Sequence, residues 1–333
     1  MRRIFLFVAA MGLASAATLI ATCTARAQQP QDFSKVEIKI TKVSGSVYML
    51  QGSGGNIAAS LGDDGIFLVD TEYAPLAPKI QAALAGAGIT NKPVRFVVDT
   101  HFHADHSNGN AAFAAAGATI LANENLRKRL EEGSTIGNGP GGSINVKQPP
   151  QPKEALPIVT YGDGVNIFLN GEKIEVQHMP AAHTDGDSVV FFSTSKVLHM
   201  GDIFVRYGFP FIDVNDGGSV QGMIAACDKA LAEFPPDTQV IPGHGALATM
   251  DELRAYDQML KDTTAAVQKA LMDGKTLAQM KEEKVLAPWQ KYSGTFVNSD
   301  AFLEELFHSL VARKGKEKVL GEAEASEKPF RRL

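Results

Sequence analysis

From Val36 to Val43 apolar and polar residues alternate with the two-residue period of a half-buried strand, and Gly45 and Gly52 cut the next stretch into short strands. A turn at Gly62–Gly65 leads into Ile66–Val69, an unbroken apolar run that reads as a buried strand. Pro75–Ala85 shifts to a helical period and stops at Gly86. Val94–Asp99 is another buried strand, followed by a helix at Asn110–Ala116, a short strand at Thr119–Leu121 and a helix at Asn123–Glu132. Periodicity is then lost over Gly133–Pro157, where Gly137–Gly142 and Pro149–Pro152 are rich in breakers. Such a stretch inside a compact domain is either a lid or binding loop, or a disordered excursion. Strands resume at Val165–Leu169 and Lys173–Gln177, which flank the hairpin dipeptide Asn170-Gly171. Ser188–Phe192 and Lys196–Met200 form a further strand pair, followed by a helix at Ser219–Phe234 and a strand at Gln239–Ile241. The rest is mostly helical, at Asp251–Asp273, Leu277–Lys284 and Asp300–Ala312. Two successive blocks, each with strands first and helices after, predict an α/β domain of two sheets packed face to face with helices outside.

The N-terminus obeys different rules. Met1-Arg-Arg3 is basic, Ile4–Thr22 is apolar and small, and Ala25-Arg-Ala27 is an A-x-A cleavage pattern, so residues 1–27 read as a secretory signal peptide. The expected domain is 28–313, with a charged, flexible tail at 314–333. Arg2-Arg3 also resembles a twin-arginine signal, and Ile20–Cys23 approximates a lipobox that would place a lipid on Cys23. The expected location is periplasmic or secreted, with no stable membrane insertion once the signal is removed. Without Cys23, Cys227 is alone, so no intramolecular disulfide forms; its alanine-rich helix predicts a buried thiol.

Composition adds limits. Of 333 residues 44% are hydrophobic and 21% charged, ordinary for a globular chain, and the net charge of -5 provides no general attraction to nucleic acid or anionic membranes. A small-molecule substrate fits this balance.

The chemistry concentrates after strand ends. Thr100–His106 places His101, His103, Asp105 and His106 directly behind the Val94–Asp99 strand. Three imidazoles and a carboxylate on one loop are a metal-site signature, distinct in spacing from zinc fingers and H-E-x-x-H helices. His183 follows the Lys173–Gln177 strand, Asp202 the Lys196–Met200 strand, and His244 the Gln239–Ile241 strand. Residues far apart in sequence thus leave strands where one sheet edge can collect them. Thr100 and Asp187 are candidate partners of the ligands. His178 and His199 are expected to make ordinary strand hydrogen bonds, and His308 to lie on the surface. The aromatic loop Arg206–Asp213 is a candidate wall of the substrate pocket, with Arg206 pairing with a substrate carboxylate, or else Phe209 and Phe211 pack into the core.

The loop, the later His, the Gly-Asp and the Gly-His, in this order, resemble the metallo-β-lactamase-fold superfamily over essentially the whole mature chain. The resemblance implies an αβ/βα four-layer sandwich with two Zn²⁺, iron or manganese being alternatives. One ion would be held by His101, His103 and His183, the second by Asp105, His106 and His244, with Asp202 bridging. It implies a hydrolase that uses a metal-bridging hydroxide on a β-lactam, lactone, ester or thioester, with Asp105 as the catalytic candidate that orients the hydroxide. A bridging Asp at 202 resembles the glyoxalase II, lactonase and phosphodiesterase branches more than the main β-lactamases, which place Cys or Ser there. Two other readings stand beside it. A mononuclear iron enzyme similar to persulfide dioxygenases would use only His101, His183 and Asp202. A non-catalytic metal-dependent binding or redox-relay protein would use the site without turnover.

Overall fold

The computed structural model describes residues 32–312, so the signal-peptide and tail readings, residues 1–27 and 314–333, lie outside the described residues. The compact unit begins at Phe33. Its first half runs β1 (Lys39–Ser44), β2 (Val47–Gln51), β3 (Ile57–Gly62), β4 (Gly65–Val69), α1 (Ala77–Gly86), β5 (Val94–Val98), α2 (Ala104–Ser107), α3 (Asn110–Ala115), β6 (Thr119–Asn123) and α4 (Glu124–Glu132). A small hairpin, β7 (Ser134–Gly137) and β8 (Asn145–Gln148), precedes β9 (Val159–Tyr161). The second half runs β10 (Gly164–Leu169), β11 (Glu172–His178), β12 (Ser188–Phe192), β13 (Val197–His199), α5 (Val220–Glu233), β14 (Gln239–Ile241), β15 (Ala248–Thr249), α6 (Met250–Met272) and α7 (Leu277–Glu282), and ends on α8 (299–312).

The strands form a seven-stranded sheet, β1-β2-β3-β4-β5-β6-β9, and a six-stranded sheet, β10-β11-β12-β13-β14-β15. Their side-chain alternation makes the layers. In β4, Phe67 and Val69 enter a core shared with Val190 and Phe192 of β12, while Ile66 and Leu68 turn to the opposite face and meet Ile80 and Leu84 of α1. In β12, Val189 and Phe191 face a core built with α5, α6 and α8. Helix, sheet, sheet and helix therefore stack in four layers, as the strand-then-helix pattern predicts. Continuous apolar runs are required in β4 and β12 because these strands are covered on both faces, whereas β5 is buried only at Val97 and Val98 and exposes Arg95. Phe67 and Phe192 meet edge to face across the central layer, with centroids 6.0 Å apart. Phe192→Ala is expected to destabilise the fold by about 3–5 kcal/mol, read from denaturant unfolding, because this dry layer cannot readily collapse around the void.

Local signals set the ends. Asn170 and Gly171 have φ of 53° and 73°, the pair of positive values a tight hairpin demands. Ser219 caps α5, and Thr249 with Glu252 forms a capping box on α6. Gly133–Pro157 is not irregular throughout: β7 and β8 pair in register from Ser134↔Gln148 to Gly137↔Asn145. The four-residue strands are too short for an alternation signal, which is why the sequence shows only breakers there. No helix among the described residues is long and apolar enough to cross a membrane.

Candidate metal centre

The site is built by the loops that leave β4, β5, β11, β13 and β14. β4 and β5 are parallel, as are β13 and β14, and β11 runs with β13 because both are antiparallel to β12. All five loops therefore leave C-terminal strand ends, where open α/β sheets place their sites.

The loop after β5 divides its ligands between two conformations. His103 is extended (φ -60°, ψ 147°) and precedes α2, whose single turn carries Asp105 and His106. His101, His103 and His183 bring one ring nitrogen each to within 4.8 Å of one another. His103 Nδ1 stands 3.0 Å from His183 Nε2, and buried His101 Nε2 has no hydrogen-bond partner. The outer nitrogens are held by the protein. His101 Nδ1 is 3.1 Å from Thr100 Oγ1, His103 Nε2 is 3.0 Å from Asp213 Oδ2, and His183 Nδ1 is 2.8 Å from the Phe211 carbonyl. Such outer contacts fix tautomer and ring direction, leaving the inner nitrogens as donors to a cation.

Asp105, His106 and His244 form a second group. His244 Nε2 is 3.2 Å from both His106 Nε2 and Asp105 Oδ2, while His106 Nδ1 is anchored 2.8 Å from Asp70 Oδ2. Asp202 lies between the two groups. Its Oδ1 is 3.2 Å from His106 Nε2 and 3.4 Å from His244 Nε2, and its Oδ2 is 3.8 Å from His183 Nε2. Glycines let Thr100 and this carboxylate approach: a Cβ on Gly201 would lie 2.8 Å from Thr100 Cβ. Gly201 has φ of 53°, and a Cβ on Gly243 would lie 2.0 Å from Asp202 Oδ1.

The electrostatics of the two groups differ. Burial pushes the His101, His103 and His183 imidazoles down, His103 to about 4, so all three are neutral donors at pH 7. For His106 and His244 burial is outweighed by the carboxylates of Asp202 and Asp105. His106 is held well above its ordinary value and His244 at about 10. In turn, His106 and His244 overcome the burial of Asp105 and bring it to about 2. A cation bound at this group would compete with the protons that these imidazoles and carboxylates favour.

Residues 41–244, a span that contains every one of these side chains, match the metallo-beta-lactamase superfamily. The chain belongs to that superfamily. Among curated relatives, it is 28% identical over 167 residues to a hydroxyacylglutathione hydrolase of Polaromonas sp., covering 49% of this chain and 53% of that protein. It is 24% identical over 160 residues to the 2,4-dinitroanisole O-demethylase subunit alpha of Nocardioides sp., covering 48% and 44%. The matched stretch spans about half the length of these relatives. Among solved structures, a metallo-beta-lactamase from Pontibacter korlensis covers 68% of this chain and 99% of its own, with a TM-score of 0.56 at 18% identity, a likeness of fold.

The metallo-beta-lactamase superfamily includes metal-dependent hydrolases, and the side chains here fit a metal on structural grounds. Buried His101 Nε2 is without a hydrogen-bond partner, and ring nitrogens confront each other in both groups. Unpaired buried polar atoms are costly, and a divalent cation in a group would satisfy the nitrogens that face it.

Apart from Thr100, the sequence does not single out the groups that hold these rings. Asp70, with φ of 68°, accepts from Thr100 N and Thr100 Oγ1 as well as contacting His106. Its signal is its place at the exit of β4, beside the ligand-bearing exit of β5. Asp213 and the Phe211 carbonyl come from the aromatic loop that reads as a pocket wall or core packing, with no signal that it holds ligand rings. Thr100 does touch a ring, whereas Asp187 acts on backbone: its Oδ2 accepts from His183 N at 2.6 Å.

Other side chains depart from their expected places. Arg206 is not free for a substrate, because it pairs with Glu252 and donates to the Ala246 and Leu247 carbonyls. His308 is half-buried against the hairpin at Gly139 rather than on the surface. Phe209 and Phe211 are buried, and Phe211 also lies 6.1 Å from the His103 ring. His178 contacts the Asp187 carbonyl and His199 the Asn56 carbonyl, as strand histidines do, and Cys227 is buried.

Glu305 of α8 braces the same loop from behind. It is fully buried, its Oε2 accepts from Ile212 N at 3.2 Å, and its Oε1 has no partner. Burial pushes its carboxyl well above the ordinary 4.5, and the nearby charges of Glu304 and Asp213 add to this. A raised carboxyl keeps its proton in the folded state after the unfolded chain has released it, so stability falls as pH rises above about 4.5. Glu305→Gln removes this penalty. The gain in denaturation midpoint over the natural protein is expected to be larger near pH 8 than near pH 5; a gain independent of pH contradicts the protonated carboxyl.

Proposed function

We propose that this chain is a dinuclear metal-dependent hydrolase of small carbonyl compounds: esters, thioesters, lactones or β-lactams. His101, His103 and His183 would hold one zinc ion and Asp105, His106 and His244 the other, with Asp202 placed between the two groups. The observation that carries the reading is the position of Asp202, whose Oδ1 faces His106 and His244 while its Oδ2 faces His183. Zinc bound at such a pair supplies an activated water, its pKa lowered to about 7, and a Lewis acid for the carbonyl oxygen.

The protein's own groups do the rest. Asp105 has a side chain 24% exposed, so it reaches the open face of the site and can orient an incoming water through its carboxylate. Asp70, Thr100, Asp213 and the Phe211 carbonyl hold the imidazoles in place, so little reorganisation accompanies reaction. Export belongs to the same proposal and rests on the basic, apolar and A-x-A pattern of Met1–Ala27.

The test is a hydrolysis panel of thioester, ester, lactone, β-lactam and phosphodiester with the purified protein. Turnover of a carbonyl substrate that a chelator abolishes and zinc restores is the expected result. One iron per chain, with oxygen uptake on a persulfide and no hydrolysis, would replace this reading with the mononuclear oxygenase.

A further inference from the structure

A cavity of about 310 Å³ opens beside the metal centre, with His103 and Asp105 on its floor. Its walls are Ile136, Ile144 and Val146 of the β7–β8 hairpin, facing Phe211 and Phe296. Val146 and Phe296 are 54% and 60% exposed. Large apolar side chains left open around a concavity mark a binding surface more often than isolated ones do. The volume is at the small end of ligand pockets. Apart from Asp105, the only charged side chain in the lining is Lys147, so a polyanion finds no cluster of cations here.

The hairpin is a fixed wall. Asn138 Nδ2 and Ser143 N donate to Glu304 Oε2 of α8 at 2.7 and 2.8 Å, and Lys281 pairs with the other carboxylate oxygen. At the base, Gly137 N donates to Asp213 Oδ1 at 2.9 Å, and buried Gln148 donates to the Phe102 carbonyl at 2.8 Å. These contacts fix where the apolar face of the hairpin stands relative to His103. Asp213 does so directly, since its other oxygen holds the His103 ring.

We propose that this cavity is an acyl subsite. The physiological substrate is an ester or thioester with an apolar acyl chain, which lies between the hairpin and Phe296 while its carbonyl reaches His103 and Asp105. Glu304 is the positioning residue that sets the width of the subsite. The inference rests on the hydrolase reading for its carbonyl chemistry, but the apolar wall stands on its own geometry.

Two measurements on the full-length protein separate the subsite from the hydrolase reading. In calorimetry with unbranched carboxylates from butanoate to octanoate, each added methylene should tighten binding about 4-fold, until the cavity is full, with negative heat-capacity change. In hydrolysis of acetyl to octanoyl thioesters, kcat/KM should rise by a similar factor per methylene. Phe296→Ala should lower the octanoyl-to-acetyl ratio of kcat/KM about 10-fold. Glu304→Ala should lower the same ratio, with partial recovery in Glu304→Gln; a merely structural role would lower both substrates together. Chain-length-dependent binding without hydrolysis would support the subsite and overturn the hydrolase. Hydrolysis and binding that are both indifferent to chain length would leave the hydrolase intact and overturn the subsite.

Discussion

Asp202→Asn is expected to lower kcat/KM on any substrate of this enzyme by about a thousandfold, which corresponds to ~4 kcal/mol of lost transition-state stabilisation. The substitution preserves shape and removes one negative charge from between the two ligand groups. In the natural protein the Asp202 carboxyl is held well below its ordinary value, against the cost of burial, by His244 and His106. The two imidazoles therefore favour its ionised form. The amide offers one neutral oxygen in place of two charged ones, so it cannot serve His183 on one side and His106 with His244 on the other. Metal content is expected to fall together with activity. Unchanged kcat/KM in a variant with full metal content would remove Asp202 from its bridging role.

Asp105→Ala is expected to reduce hydrolysis below about a thousandth of the natural rate while the fold persists. The fold survives because Asp105 contributes little else with its side chain. Its structural contact is through the backbone, where its carbonyl accepts from Gly55 N at 2.9 Å, and alanine keeps that bond and suits the first turn of α2. His244 loses a carboxylate partner 3.2 Å away, so its affinity for a proton falls, while Asp202, the larger cause, still raises it. The measurement is steady-state kinetics beside circular dichroism and a denaturation midpoint. Retained activity in a folded variant would overturn the two-metal mechanism, whereas the single-ion reading, which uses only His101, His183 and Asp202, predicts that Asp105→Ala stays active.

The layers and the ligand groups are legible in the sequence for the same reason. Buried strands such as β4 and β12 must be apolar on both faces, and polar residues directly behind them are then conspicuous. His101, His183, Asp202 and His244 each come after a strand end, and the structure draws them to one edge. Less is legible where a residue acts through another. Asp70 and Asp213 look like ordinary turn carboxylates until folding brings them to the back of His106 and His103. Glu304 and Glu305 read as one charged step in an amphipathic helix, yet one holds the hairpin and the other the Ile212 backbone. The hairpin itself is hidden because its order comes from Glu304, Asp213 and the Phe102 carbonyl, all distant in sequence. Arg206 misleads for the same reason: its partner Glu252 lies at the start of α6.

The most direct test of the central claim is anomalous diffraction at the zinc edge from crystals grown with zinc. The two-metal account predicts two peaks, one among the ring nitrogens of His101, His103 and His183, the other among Asp105, His106 and His244, with Asp202 between them. A single peak at the His101 group, with Asp105 and His244 still paired to each other, would contradict the two-metal centre.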